Sequence, residues 1–357
     1  LQPDAVTAIM GDDVRWVGNE KGLGRETEWS ATALLPDSHK SDQNSRLGLR
    51  ANAGDLGGRG ILENAGKVVW WPSEVDVSIR PGWFYHDSEQ PKSLRKLAEI
   101  YLESVGRNSV LLLNVPPDRR GLIAASDSAR LAEFGRWLDA NFPEEKGGQP
   151  IDLPYPKQVN CAVVEEDISK GQRIEAFTVE GLVAGEWKPL ASGTTVGLKR
   201  MLLFEPVTVD SLRLNVTAAR RTPEIAGFRG LMVDLPADLD AAAASLALPK
   251  GVTQAVDGAT CTLRFDTPAE LKGFVYIPEG DRPAVFNYTA EVSRDGGRAW
   301  TPVNGLSGEF SNIQNNPIPQ TVAFPAPHSG VNAFRLRAAT LTDGSAPAFT
   351  GKVVPVL

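Results

Sequence analysis

The sequence predicts a multidomain chain in which an α/β segment precedes two all-β segments. Three observations predict it. Residues 1–145 alternate strand-like and helix-like runs, no helical period is sustained beyond Pro143, and the stretches 150–235 and 250–357 resemble each other. Strand, loop and helix in alternation are the rhythm of a β/α barrel or a doubly wound sheet. Short β-type runs between Gly, Pro and Asp mark β-sandwiches. A chain of 357 residues is long enough for two or three domains.

In the first segment, Ala5–Met10 is a short apolar run after a Pro-containing turn, and Val68–Ile79 is rich in Val, Ile and Trp. Pro91–Val105 reads as an amphipathic helix, with Leu94, Leu97, Ile100, Tyr101 and Val105 at helical spacing. Ser109–Val115 (SVLLLNV) is a nearly continuous apolar strand of the kind buried on both faces of a parallel sheet, and Pro116-Pro117 stops it. Ser126–Phe142 is a second helix, with Leu131, Phe134, Trp137 and Leu138 on one side. Short β runs follow at Arg173–Val179, Trp187–Ala191, Lys199–Phe204 and Ser211–Val216. The Ala-rich stretch Asp238–Pro249 is a linker or a helical turn or two before the last segment. Both β-segments place a Trp followed by Lys-Pro or Thr-Pro (Trp187, Trp300) after a turn, and both end on a Leu-Arg-Leu or Phe-Arg-Leu strand. This is domain duplication, and one Trp at the same place in both copies reads as core packing.

Composition narrows the function. A formal net charge of −7 argues against a nucleic-acid partner, which calls for a basic face. No apolar run approaches the length of a membrane span, so a soluble chain without a membrane partner is expected. The two cysteines, Cys161 and Cys261, have no metal spacing; they read as buried free thiols or, alternatively, as a disulfide. His39, His86 and His328 make no metal trio, so no metal or cofactor is expected.

The chemistry concentrates in the first segment. Asp13-Val14-Arg15-Trp16-Val17-Gly18-Asn19-Glu20 follows the Ala5–Met10 run. Trp70-Trp71-Pro72-Ser73-Glu74-Val75-Asp76 and Arg80-Pro81-Gly82-Trp83-Phe84-Tyr85-His86 lie on and after the next strand. In parallel β/α folds the loops at the strands' C-terminal ends carry the active site. Aromatic density beside carboxylates and an Arg suits a sugar, whose C–H faces stack on rings while its hydroxyls take charged and amide groups.

The segments DVRWVGNEKG, ETEWS, WWPSEVDVSIRPGWFYH and SVGRNSVLLLNVPPDRRGLI, in that order, resemble the α-L-fucosidases of glycoside hydrolase family 29, and most closely the branch acting on α-1,3/1,4-linked fucose in Lewis-type glycans. GEFSNIQNNPIPQ (Gly308–Gln320) resembles the C-terminal β-domain of multidomain members, and the β-segments resemble galactose-binding-like, F5/8-type modules. The resemblance implies three domains: the C-terminal half of a catalytic (β/α) barrel over 1–145, a β-sandwich over 150–235 and a second, F5/8-type-like β-sandwich over 250–357. It implies retaining hydrolysis of a fucosylated oligosaccharide in a periplasmic or secreted setting. Glu20, which closes a W-x-G-N-E motif, is then the acid/base. Arg15, Trp16, Asn19, Asp55, Arg59, Trp71, Glu74, Trp83 and Phe84 are the implied substrate-binding residues. The family's nucleophile sits in an upstream W-x-D-G motif, which this chain does not contain. A partner chain or segment bearing the N-terminal half-barrel is therefore expected, the rival reading being a non-catalytic carbohydrate-binding fragment. The long polar loop Pro36–Gly60, with its D-L-G-x-R element at Asp55–Arg59, is expected to be a mobile lid over the aglycone.

Overall fold

The computed structural model describes residues 2, 4–8, 13–40, 49, 51–146, 155–237, 246–280, 282–315 and 317–357. The fold is mostly β with few helices. The strands are β1 (Arg15–Trp16), β2 (Ala31–Leu34), β3 (Lys67–Trp70), β4 (Ser73–Ser78), β5 (Ser109–Asn114), β6 (Lys157–Glu166), β7 (Ile174–Val183), β8 (Glu186–Gly193), β9 (Arg200–Val209), β10 (Ser211–Ala219) and β11 (Ile225–Leu231). They continue as β12 (Val252–Asp257), β13 (Thr260–Ile277), β14 (Val285–Ser293), β15 (Thr301–Pro302), β16 (Gln320–Leu341) and β17 (Lys352–Val356). The α-helices are α1 (Arg59–Leu62), α2 (Leu94–Ser104) and α3 (Ala125–Asn141). No helix among the described residues is long and apolar enough to cross a membrane.

The chain forms two compact units, and the division cuts across the first segment. One unit gathers Leu1–Val77, Leu97–Leu113 and Glu133–Pro236; the other gathers Ser78–Lys96, Asn114–Ala132 and Ala237–Leu357.

In the first unit β4 pairs in parallel with β1, Arg15 opposite Ser73 and Trp16 opposite Glu74, and β5 completes the sheet in the order β1-β4-β5. The anticipated strand over Val68–Ile79 is two strands. Trp71-Pro72 breaks it, and β3 leaves to pair with β2 as an antiparallel hairpin. The run Ala5–Met10 is not a strand over residues 5–8, and Met10 lies outside the described residues. The expected helix over Pro91–Val105 is α2. Ser93 Oγ accepts from the Lys96 amide at 3.1 Å, and Leu97, Ile100 and Tyr101 are buried. Tyr101 meets Phe134, Trp137 and Phe142 with ring centroids 5.4–6.4 Å apart. The double burial expected of Ser109–Val115 does not hold: Val110 and Leu112 are 50% and 43% exposed. Strand alternation puts both on one face, and that face has no cover among the described residues.

Six strands of this unit form two antiparallel sheets, β10-β7-β8 and β11-β6-β9. They face each other across Ala162, Val164, Ile174, Phe177, Val179 and Val196. The sequence pattern missed β6 and β11. The pair of sheets is bound into the rest of the unit by polar joints. Trp137 Nε1 donates to the Asp234 carbonyl at 2.6 Å, and Gln172 bridges the Ser30 amide and the Glu28 carbonyl at 2.6 and 3.0 Å.

In the second unit one antiparallel sheet runs β12-β13-β16-β14-β15, with β17 on β13. Pairing of β13 with β16 slips between Arg264 and Gly273, and the sheet folds over there. Leu263 and Leu336 from one end then share a core with Phe274, Tyr276 and Phe324 from the other. The second β-segment is thus one folded sheet rather than two separate ones. Residues 78–96 pack on it: the Ala323 amide donates to the Ser88 carbonyl at 3.2 Å, and a Cβ at Gly82 would overlap Ser311. Arg80 is fully buried, with its Nε 2.8 Å from Asp127 Oδ2. Cys161 and Cys261 are buried free thiols, and burial pushes both up to about 12. The Ala-rich stretch lies outside the described residues over 238–245.

Candidate active site

Adjacent residues of a strand point to opposite faces, and this sorts the candidate residues. Trp16 and Arg15 are neighbours on β1 and part company. The Trp16 indole Nε1 donates to Asp76 Oδ1 at 2.7 Å. Arg15 turns the other way and is fully buried. Its guanidinium donates to the Trp71 and Trp29 carbonyls, both at 2.9 Å, and pairs with Glu28. Arg15 therefore braces the fold and does not face substrate, contrary to the expectation. Trp71 is likewise corrected: at 1% exposure it has no ring face to offer a sugar.

On β4 the sequence Glu74-Val75-Asp76-Val77 alternates. The valines are buried in the core, and the two carboxyls share the opposite face with Trp16's indole. Glu74 Oε1 is buried without a hydrogen-bond partner among the described residues. Burial, with Asp76 adding repulsion, holds the Glu74 carboxyl above the usual range. Asp76 is also raised, by burial foremost; Trp16's hydrogen bond works against the rise and the Glu20 charge adds to it. Glu20, Glu74 and Asp76 thus form one electrostatic cluster.

Glu20 is half-buried on the turn that follows β1. The β1–β4 ladder extends toward it, with the Val17 amide 2.9 Å from the Glu74 carbonyl. Gly18 has φ +97°, and a Cβ there would lie 2.5 Å from the Ala51 carbonyl carbon, so the W-x-G-N-E glycine is required twice over. Asn19 accepts from the Lys21 amide at 3.0 Å and donates to the Leu23 carbonyl at 2.9 Å. Its amide atoms shape the Glu20 turn rather than reach for a ligand.

Asp55 and Arg59 are also occupied. Asp55 Oδ1 accepts from the Gly57 and Gly58 amides at 2.9 and 2.8 Å. Arg59 makes a two-pronged pair with Glu175 at 2.8 Å and reaches the Ala219 carbonyl at 3.0 Å. This end of the anticipated lid is pinned to the adjoining β-sheets, so mobility does not extend to it; residues 41–48 and 50 of the loop lie outside the described residues. Trp83 and Phe84 belong to the second unit. There the Trp83 carbonyl accepts from Asn114 Nδ2 at 3.0 Å, and Phe84 is 79% exposed.

Three residues were given no site role by the sequence reading. Asp76 was signalled by the alternating carboxylates of E-V-D-V. Arg25 carried no signal, and Glu28 lay in the ETEWS segment without a role of its own: Arg25 donates to the Val17 carbonyl at 2.6 Å and the Ala53 carbonyl at 2.7 Å, and Glu28 pairs with both Arg25 and Arg15. No group of His, Cys, Asp and Glu among the described residues is arranged to hold a metal.

The raised carboxyls make a prediction. A carboxyl raised on folding contributes stability that is present below its unfolded pKa and is lost as pH rises through the folded one. Asp76→Asn removes that loss, and its Oδ1 still accepts from Trp16. Thermal melts should show a higher Tm than the parent at neutral pH and a smaller drop between weakly acidic and neutral pH. An unchanged or lower Tm at neutral pH would count against a raised Asp76.

Residues 27–142 match the family model for α-L-fucosidase. The chain is 36% identical over 279 residues to alpha-L-fucosidase 1 of Arabidopsis thaliana, covering 66% of this chain and 52% of that protein. Among solved structures, a Bacteroides ovatus protein assigned as an α-L-fucosidase is 41% identical with a TM-score of 0.62, covering 100% of this chain and 64% of that one. A glycoside hydrolase family 29 member from a rumen bacterium is 31% identical with a TM-score of 0.53, covering 97% and 62%. The chain spans about half the length of the curated relative. The family model, the curated relative and the Bacteroides ovatus structure share the description α-L-fucosidase, and the rumen structure is a glycoside hydrolase family 29 member.

Proposed function

We propose that this chain, which is similar to α-L-fucosidases, is the acid/base-bearing part of a retaining exo-fucosidase acting on α-1,3/1,4-linked L-fucose of Lewis-type glycans. One observation carries the reading: the W-x-G-N-E turn presents Glu20 beside the Trp16–Asp76 pair, at the end of a parallel strand pair. In this mechanism Glu20 delivers a proton to the departing glycosidic oxygen while a second carboxylate attacks the anomeric carbon, and the two carboxyls lie about 5 Å apart. Glu20 then takes a proton from the water that cleaves the fucosyl-enzyme ester. Trp16 orients Asp76, and Glu74 and Asp76 supply acceptors for sugar hydroxyls.

The nucleophile is assigned to a W-x-D-G-bearing N-terminal half-barrel. The open face carrying Val110 and Leu112 supports this, since an apolar strand face of that kind calls for cover. The domain reading is a half-barrel followed by two β-domains, and the setting periplasmic or secreted. Absence of W-x-D-G from this chain favours a second reading, a non-catalytic carbohydrate-binding fragment. An aryl α-L-fucoside assay separates the two. Turnover is expected when the chain is joined to the nucleophile-bearing half; no turnover in the joined protein would leave the binding reading standing.

A further inference from the structure

The two β-segments carry the same three-residue stack. In the first, Arg213 on β10 lies over the Trp187 ring, 4.2 Å from its centroid, and pairs with Glu180 on β7. In the second, Arg335 on β16 lies over the Trp300 ring at 4.3 Å and pairs with Glu291 on β14 at 2.6 Å. A stack repeated in both copies belongs to the shared scaffold. What the second copy adds is not scaffold. Two residues beyond the stacking arginine, the first copy has Asn215 and the second Arg337. In the first copy β10 is the edge of its sheet, whereas β13 runs along β16 in the second. Thr260 lies opposite Arg337, Thr262 opposite Arg335, and Arg264 follows on the same face.

These additions line an open cleft of about 630 Å³ between Trp300, Asp257, Thr260, Thr262 and the three arginines. The size is that of a small-molecule site. Glu291 neutralises Arg335. Arg264 and Arg337 are exposed and form no ion pair among the described residues: Arg264 donates to the Gly296 carbonyl at 2.8 Å, and Arg337 reaches only Thr260 Oγ1, at 3.4 Å. With Asp257 on the rim, one positive charge stays in excess on a chain whose net charge is −7. Gly297, at φ +93°, keeps the wall thin: a Cβ there would sit 3.3 Å from the Trp300 ring and 3.4 Å from Arg264 Nη1.

We propose that this cleft binds an acidic saccharide, one bearing a carboxylate or a sulfate ester. Either guanidinium, Arg264 or Arg337, offers the paired N–H donors that a two-oxygen anion takes. The Thr260 and Thr262 hydroxyls and the Asp257 carboxylate suit the hydroxyls of the same ring, and the half-buried Trp300 its C–H edge. A simple anion would have no use for Asp257, and a neutral sugar would leave the excess positive charge unmatched.

Calorimetry on the whole chain with glucuronic acid, galactose 6-sulfate, galactose and inorganic sulfate tests this. At least one acidic sugar is expected to bind saturably, more tightly than galactose and than sulfate ion, and more weakly as salt rises. Which acid binds identifies the anion. The double variant Arg264→Ala/Arg337→Ala is expected to keep the parent Tm and to lose about tenfold or more in affinity. Absence of saturable binding by both acidic sugars overturns the proposal. So does binding that the double variant retains, or sulfate ion binding as tightly as the sugars.

Discussion

Glu20→Gln is expected to lower kcat/KM on Lewis-type oligosaccharides by about 10²- to 10⁴-fold, the span that a positioned general acid contributes. The measurement is made in the protein joined to the nucleophile-bearing half proposed for it. The glutamine keeps the shape of the turn, since Gly18 and Asn19 set that turn through backbone and amide contacts that Glu20 does not make. What is lost is the proton donor for a poor leaving group. An aryl fucoside with an acidic phenol leaves with little help, so its glycosylation step should suffer far less. The fucosyl-enzyme should then accumulate for want of a base to activate water, and azide, which needs no such base, should restore part of the turnover as a fucosyl azide. Equal and mild losses on both substrates, without azide rescue, would remove Glu20 from the acid/base role.

The motif that leads to Glu20 was legible because its residues are tied to local backbone geometry. A positive φ at Gly18 and an Asn that closes the turn are demands a short sequence can express. The helix α2 was legible for a similar reason, since one apolar stripe suffices. Direction on a short strand was not legible. Arg15 and Trp16 stand side by side in the motif and both read as ligands, yet alternation sends one to Asp76 and the other into the core. Trp70 and Trp71 divide in the same way, 46% and 1% exposed. Asp55 and Arg59 failed for another reason. Asp55 is spent on the Gly57 and Gly58 amides, a local turn that D-L-G-G expresses, whereas Arg59's partner Glu175 is more than a hundred positions away, and no local pattern announces that pairing.

The β-segments give the converse case. Their repetition was legible, and it placed Trp187 and Trp300 at matching positions. Core packing did not follow from it. Trp187 is 38% exposed and Trp300 half-buried, and each ring is covered by the arginine of the Leu-Arg-Leu or Phe-Arg-Leu strand. A large ring on an outer sheet face can be shielded by a stacked guanidinium as well as by the core. The motif held both partners, but cross-strand register was needed to bring them together.

Glu28→Gln should destabilise the first unit by about 3–5 kcal/mol, the cost of breaking a buried ion pair from one side. Glu28 is 1% exposed and pairs with Arg15, itself at 0%, and with Arg25 at 2.9 Å. Glutamine fits the space but leaves two guanidiniums buried with no counter-charge. Carbonyls of Trp71, Trp29, Val17 and Ala53 still accept from them, yet these carry only partial charge. The same residue joins parts of the unit that are far apart in sequence: its amide donates to Thr195 Oγ1 at 2.9 Å, and its carbonyl accepts from Gln172 at 3.0 Å. Loosening Arg25 frees the Val17 carbonyl one residue before Gly18, so the Glu20 turn should lose order with the stability. Arg59→Ala provides the contrast. Its pair with Glu175 is 59% exposed on the Arg side, and exposed pairs contribute about 0–1 kcal/mol. Urea unfolding of both variants beside the parent measures the difference. A Glu28→Gln loss no larger than that of Arg59→Ala would mean that the Arg15–Glu28–Arg25 cluster is not what holds this loop.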